Sequence, residues 1–167
     1  MNAKYRRFTI FLLSVLLTAA LMVACSAATP EAADGPAVET ITLERQPCFG
    51  FCPVYTLSIH GDGRVEYDGL QNVEVTGPQT ASIDPAAVQA LADEMAAAGY
   101  FDWNDEYMNQ EVTDHAYVIS SITLSDGTTK RIQHYLGDFS APEALTEVEA
   151  MIDETAGSAQ WVGDGEN

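Results

Sequence analysis

Apolar and polar residues alternate through "VYTLSIH": Tyr55, Leu57 and Ile59 fall on one side, Thr56, Ser58 and His60 on the other. A period of two marks a half-buried strand. "GDG" at 61–63 supplies a turn in which positive φ is cheap, and Val65 and Tyr67 resume the alternation, so the segment predicts a β-hairpin. "NVEVTG", with Val73 and Val75 on one face, predicts a further strand, and "ITLER" at 41–45 an earlier one. "AYVISSITLSDGTTKRIQHY" repeats the hairpin pattern with a turn at "SDGT". Ser120 and Ser121 within it read as outward-facing polar positions, and Tyr55, Tyr67 and Tyr117 as core or sheet-face residues.

Two segments change period. In "SIDPAAVQALADEMAAAGYF", Val88, Leu91, Ala92 and Met95 recur at three- and four-residue steps, as one face of a helix requires. Asp84 suits its N-cap, Pro85 its first turn and Gly99 its C-terminal cap. In "SAPEALTEVEAMIDETAG", Leu145, Val148 and Ile152 form a second apolar stripe, and Ser140 and Glu143 have the spacing of a capping box. The predicted order is β-β-β-β-α-β-β-α. Hairpins with one apolar face need a cover, so the expected fold is α+β: an antiparallel sheet with two amphipathic helices packed on one face.

The N-terminus has a different pattern. Lys4, Arg6 and Arg7 precede an apolar run of 17 residues, Phe8–Ala24, broken only by Thr9, Ser14 and Thr18. A basic start followed by an apolar stretch reads as an export signal. The run also sits at the lower limit of a bilayer span, roughly 17–25 residues, so its length leaves a membrane helix open. The junction "LMVAC" resembles the lipobox of bacterial lipoproteins, in which the cysteine is acylated and becomes the first residue. The resemblance implies a signal peptide over 1–24, a lipid on Cys25 and a membrane-anchored location in the bacterial cell envelope, facing the periplasm or the exterior. Residues 25–40, rich in Ala, Pro, Glu and Thr, read as a flexible tether. Residues 41–156 suit a single domain. Residues 157–167 read as an acidic, largely disordered tail from which Trp161 folds back.

Cleavage before Cys25 would remove three of the seven Lys and Arg residues and none of the 25 acidic ones, leaving a chain still more negative than the full sequence at −18. Such a field repels nucleic acid and anionic headgroups, which argues against both as partners. Asp102, Asp105, Glu106, Glu111 and Asp114 crowd one predicted loop, but they lack the Asp-x-Asp-x-Asp-Gly order of an EF-hand. They read as a solvated loop. His115 beside Asp114 and the paired serines lack the context of a catalytic base or nucleophile elbow. No catalytic residue, metal or cofactor is expected.

"QPCFGFCPVY" carries the strongest chemical signal: Cys48 and Cys52, four positions apart. Its Cys-x-x-x-Cys-Pro is similar to the motif of thioredoxin-like copper chaperones, whose thiolates bind copper together with a distant His. His60, His115 and His134 are the third-ligand candidates of that copper-binding or thiol-redox alternative. In that family, however, the cysteines open a helix, whereas Pro53 here leads into an alternating strand. Zinc would want four ligands and c-type haem a Cys-x-x-Cys-His. An exported chain meets oxidising conditions, and with Cys25 lipidated the other two form a matched pair, so a disulfide is expected. Four extended residues span roughly 13 Å, whereas a disulfide needs Cα atoms about 4.4–6.8 Å apart. The segment must turn back on itself, and Gly50 permits that.

"CFGFCPVYTLSIHGDGRVEYDG", "DEYMNQEVTDHAYVISSITLSDGTTKRI" and "APEALTEVEAMID" together resemble an uncharacterised bacterial domain family, a domain of unknown function found in exported proteins and lipoproteins. Its hallmark is Cys-x-Gly-x-Cys-Pro-x-Tyr followed by Gly-Asp-Gly, matched by Cys48, Gly50, Cys52, Pro53 and Tyr55 and then by Gly61, Asp62 and Gly63. The resemblance brings no established activity. The expected role is a lipid-anchored, non-catalytic binding or interaction module with an envelope protein as its partner. Phe49 and Phe51, enclosed by the cysteines, are the candidate partner contacts: one is expected to pack beneath the loop and the other to stay exposed.

Overall fold

The computed structural model describes residues 35–110 and 112–163. The expected signal peptide, Cys25 and most of the tether lie outside them, as does Glu111. The chain forms strands β1 (Val38–Arg45), β2 (Val54–His60), β3 (Arg64–Gln71) and β4 (Gly77–Ser82), then helix α1 (Pro85–Ala98). Strands β5 (Glu106–Tyr107), β6 (Tyr117–Leu124) and β7 (Thr129–Tyr135) follow, with helices α2 (Glu143–Ala156) and α3 (Ala159–Val162). The strands make one sheet in the order β4-β3-β2-β1-β6-β7-β5, antiparallel except for the parallel β5–β7 contact. The fold is α+β. Its first strand begins at Val38, three residues before the expected domain boundary, and Val38 is buried.

β1 is the central strand, paired with β2 on one side and β6 on the other. Its register aligns Ile41 with Ile59 and Ile122, and Leu43 with Leu57 and Ser120. These residues make one buried row, continued by Val65 and Tyr67 on β3 and Ile132 on β7. The buried residues of the helices, Val88, Leu91 and Met95 on α1 and Leu145, Val148 and Ile152 on α2, join the same apolar cluster. Fully burying each such side chain contributes about 1.5–3 kcal/mol. The opposite side of β1 and β2 is largely polar, with Thr42 and Ser121 hydrogen-bonded there at 2.6 Å, while Ile119, Tyr117 and Tyr135 form an apolar patch on β6 and β7.

The caps of α1 are those its sequence calls for. The Asp84 carboxylate accepts from the Ala86 N–H, Pro85 opens the helix and Gly99 closes it at φ 96°. The turn glycine Gly63 has φ 85°, and a Cβ there would lie 2.3 Å from the Ile83 carbonyl, so the β2–β3 turn tolerates no side chain.

Several expectations are corrected. "NVEVTG" is a connection, and the fourth strand is Gly77–Ser82, an edge strand that accommodates Pro78. The Glu74 and Val75 N–H groups donate to the Val162 and Trp161 carbonyls instead of to a strand. Within the segment 157–163, α3 places Trp161 against Tyr67, ring centroids 4.9 Å apart and stacked. Ser140 does not cap α2; Pro142 holds that position, and the Ser140 hydroxyl donates to Asp138. Ser120 faces inward, fully buried, with its hydroxyl 2.7 Å from that of Tyr100. Adjacent strand residues point to opposite faces, so only one of the two serines could face out.

Candidate functional site

The cysteine segment is the connection between β1 and β2, residues 46–53. Cys48 and Cys52 form a disulfide with Cα atoms 5.8 Å apart, so the chain doubles back as the spacing required. Both enclosed phenylalanines are exposed, Phe49 at 89% and Phe51 at 87% of their full surface. The expectation that one of them packs beneath the loop is therefore corrected. The five-residue ring has no interior, and the foot of the loop is occupied by polar side chains.

That foot is a closed hydrogen-bond cluster. Arg45 ends β1 and pairs across the ladder with Tyr55 on β2. Arg45 donates through Nε at 2.9 Å and Nη2 at 2.7 Å to Oδ2 of Asp153 on α2. Tyr55 and Ser158 donate their hydroxyls to Oδ1 of the same carboxylate, each at 2.7 Å. Arg45 Nε also reaches the Tyr55 hydroxyl at 2.9 Å. Burial alone would lower the guanidinium pKa, but Asp153 and the Tyr55 oxygen outweigh it and raise it. Burial, reinforced by Asp153, raises the Tyr55 phenol well above its ordinary value, so it stays protonated as a donor.

The loop is tied on both flanks. The Phe49 N–H donates to the Asp114 carbonyl at 3.3 Å, and Asn72 Nδ2 donates to the Cys52 carbonyl at 3.0 Å. Asp114 (φ 73°) and Asn72 (φ 54°) are the non-glycine residues at positive φ among the described residues. Asp and Asn tolerate that region better than other side chains, yet it remains uncommon, and here it occurs on either side of one loop. The Gln46 N–H completes the attachment by donating to the Tyr117 carbonyl at 2.9 Å.

The histidines weighed as copper ligands are placed elsewhere or otherwise engaged. His60 ends β2, at the opposite end from Cys52, and contacts Glu66 at 3.0 Å. His134 is buried on β7 with Nδ1 3.0 Å from Oε1 of Glu149 on α2. His115 is exposed and stands edge-on to Tyr135. Among the described residues no group of three or more His, Cys, Asp or Glu side chains converges as metal ligands would. In the acidic connection, Asp105 takes an ion pair from Lys130 at 2.6 Å. A sulfur in the Cys48–Cys52 disulfide is not a thiolate, so copper binding there would require prior reduction.

Sequence reading missed the Arg45–Tyr55–Asp153–Ser158 cluster and the buried His134–Glu149 pair. A signal for both existed in α2. Glu149 and Asp153 lie four residues apart, beside the stripe of Leu145, Val148 and Ile152, where carboxylates need partners. Arg45, one of only four strong bases after the apolar N-terminal run, was the available cation at a strand end.

No curated protein matches the chain. A family model does match it over residues 39–156, from the second residue of β1 to the end of α2, and the chain belongs to that family, described as a domain of unknown function (DUF6438).

Proposed function

We propose that this chain is a non-catalytic interaction module of the bacterial cell envelope, held at a membrane by a lipid on Cys25 and contacting an envelope protein through Phe49 and Phe51. The observation that carries the reading is the near-complete exposure of two phenylalanines on a loop closed by a disulfide and hydrogen-bonded on both flanks. Aromatic side chains on a loop whose backbone is already held lose little backbone ordering entropy on binding, and that favours them as anchors. The basic, apolar and "LMVAC" order of the N-terminus supports the anchor.

Crosslinking in intact cells tests the contact. Phe49→Ala and Phe51→Ala are expected to lose the captured partner while melting temperature stays within about 2 °C, the range of a surface substitution. Variants that melt earlier but retain the partner would make the loop purely structural. Labelling with a fatty acid tests the anchor: the wild type should incorporate label and Cys25→Ser should not.

A further inference from the structure

The described residues expose six large hydrophobic side chains: Phe49, Phe51, Leu70, Met108, Val112 and Phe139. Single exposed apolar residues need no explanation, but clustering does. The strand directions put all six at one end of the sheet. β1 runs toward that end at Arg45, and the antiparallel ladders bring the starts of β2, β4 and β6 and the ends of β3 and β7 to the same level. β5 is parallel to β7 and ends there too. Phe49 and Phe51 lie in the β1–β2 connection, Met108 and Val112 between β5 and β6, and Phe139 between β7 and α2; Leu70 is the penultimate residue of β3. At the other end, the connections 61–63, 83–84 and 125–128 carry none of the six, nor does 99–105, which runs beside β7.

Hydrogen bonds join these connections to one another. Asn72 holds Cys52, and Asp114 holds Phe49. The Asn109 N–H donates to Asp138 at 2.7 Å, and the Tyr135 hydroxyl to the Val112 carbonyl at 2.8 Å. Beside Phe139 a cleft of about 340 Å³ opens between Leu136, Pro142, Glu143 and Thr146, with buried His134 also in its wall. Its lining mixes apolar side chains with the carboxylates of Asp138 and Glu143, a combination that suits a Lys or Arg side chain, whose stem is apolar and whose head is charged.

Exposed carboxylates lie at both ends, Asp62, Asp84 and Asp126 at the other one, but the bases outside the Arg45 cluster do not. Of the Lys and Arg residues in the described chain, Arg64 opens β3 and Lys130 and Arg131 lie at the start of β7, toward the other end. Arg45 reaches the apolar end but is engaged by Asp153. Glu74, Asp114 and Glu143 are exposed at the apolar end. An anionic border around apolar side chains disfavours an anionic lipid surface and complements a cationic one. Val38, where the chain enters the sheet, lies at the other end of β1, about 26 Å away for eight strand residues.

We propose that this end of the sheet is one continuous docking surface, for a protein whose apolar patch is bordered by Lys and Arg. The inference rests on reading the Phe49–Phe51 loop as a contact and extends that contact to two further connections and the end of β3. The test is position-resolved crosslinking of the full chain in intact cells. A benzoylphenylalanine photoprobe replaces Phe49, Met108, Phe139 or, at the other end, Thr128, and the crosslinked peptides are sequenced. The same protein should be captured from positions 49, 108 and 139 and not from 128, through segments in which apolar residues are flanked by Lys or Arg. Phe139→Ala should lower capture from position 49 about fivefold at unchanged melting temperature. Capture from position 49 alone would overturn the extended surface and leave the loop contact standing. Lipid adducts, or no adduct, from every position would overturn both. A partner segment without Lys or Arg, or equal capture from position 128, would overturn the surface as described.

Discussion

Arg45 at the end of β1 and Asp153 near the end of α2 are 108 positions apart in sequence and joined by two hydrogen bonds of 2.9 and 2.7 Å. Their side chains are 24% and 19% exposed. The pair fastens a helix to the strand that carries the disulfide loop, and Tyr55 and Ser158 satisfy the second carboxylate oxygen. Asp153→Asn would leave a largely buried guanidinium without its counter-ion. Removing one partner of a fully buried pair costs about 3–5 kcal/mol, and partial exposure lowers the expected loss to about 2–3 kcal/mol. Urea unfolding measures it. A loss below about 1 kcal/mol would mean that water replaces the carboxylate and that the cluster does not brace the loop.

Tyr100 and Ser120 offer a cleaner test, because both side chains are buried and their hydroxyls bond each other at 2.7 Å. Ser120→Ala should cost about 1–3 kcal/mol by leaving the Tyr100 hydroxyl unpaired. Tyr100→Phe together with Ser120→Ala removes both partners and should cost less than the sum of the single changes. A strictly additive double-mutant cycle would show that the two hydroxyls do not depend on each other.

The parts of the fold visible in sequence were those fixed by local periodicity. Tyr55, Leu57 and Ile59 face inward because strand residues alternate, and Val88, Leu91 and Met95 because helical neighbours recur every three or four positions. The same rule failed at Val73 and Val75, which alternate as strand residues do. Their segment is held by α3 carbonyls, a long-range competitor that no local pattern reveals. Gly77–Ser82 has weak strand propensity and is a strand because β3 offers it an unpaired edge. At the site, the disulfide is legible from the cysteine spacing and from the expectation of an oxidising compartment. The exposure of both phenylalanines was not, since it depends on Asp153 and Ser158 arriving from far along the chain to fill the foot of the loop.

Asp138 gives the pH dependence. The Ser140 hydroxyl, together with the N–H groups of Asn109 and Ser140, holds its carboxyl at about 2, against an unfolded value near 4. A depressed carboxylate pKa means stability fully present above the unfolded value and lost as pH falls through about 2. Carbon-detected NMR titration of the side-chain carboxyl should find the low value in the wild type and a higher one in Ser140→Ala. A wild-type midpoint near 4 would show that these bonds are not held in solution.

The Cys48–Cys52 bond should shape the loop more than it stabilises the domain. It closes a five-residue ring, for which the loop-entropy estimate is only about 2 kcal/mol. The stem beneath is secured independently by the β1–β2 ladder and by Arg45, Tyr55 and Asp153. The double substitution Cys48→Ser, Cys52→Ser should therefore fold, lose about 2 kcal/mol in urea unfolding, and retain the exchange protection of the Leu43 and Leu57 amides. The Phe49 N–H bond to Asp114, already long at 3.3 Å, should be the first to fail, seen as faster amide exchange confined to residues 48–52. Intact mass should rise by two hydrogens when the wild type is reduced. If the serine variant failed to fold, the disulfide would be holding the hairpin itself, and the polar cluster at its foot would not be sufficient to do so.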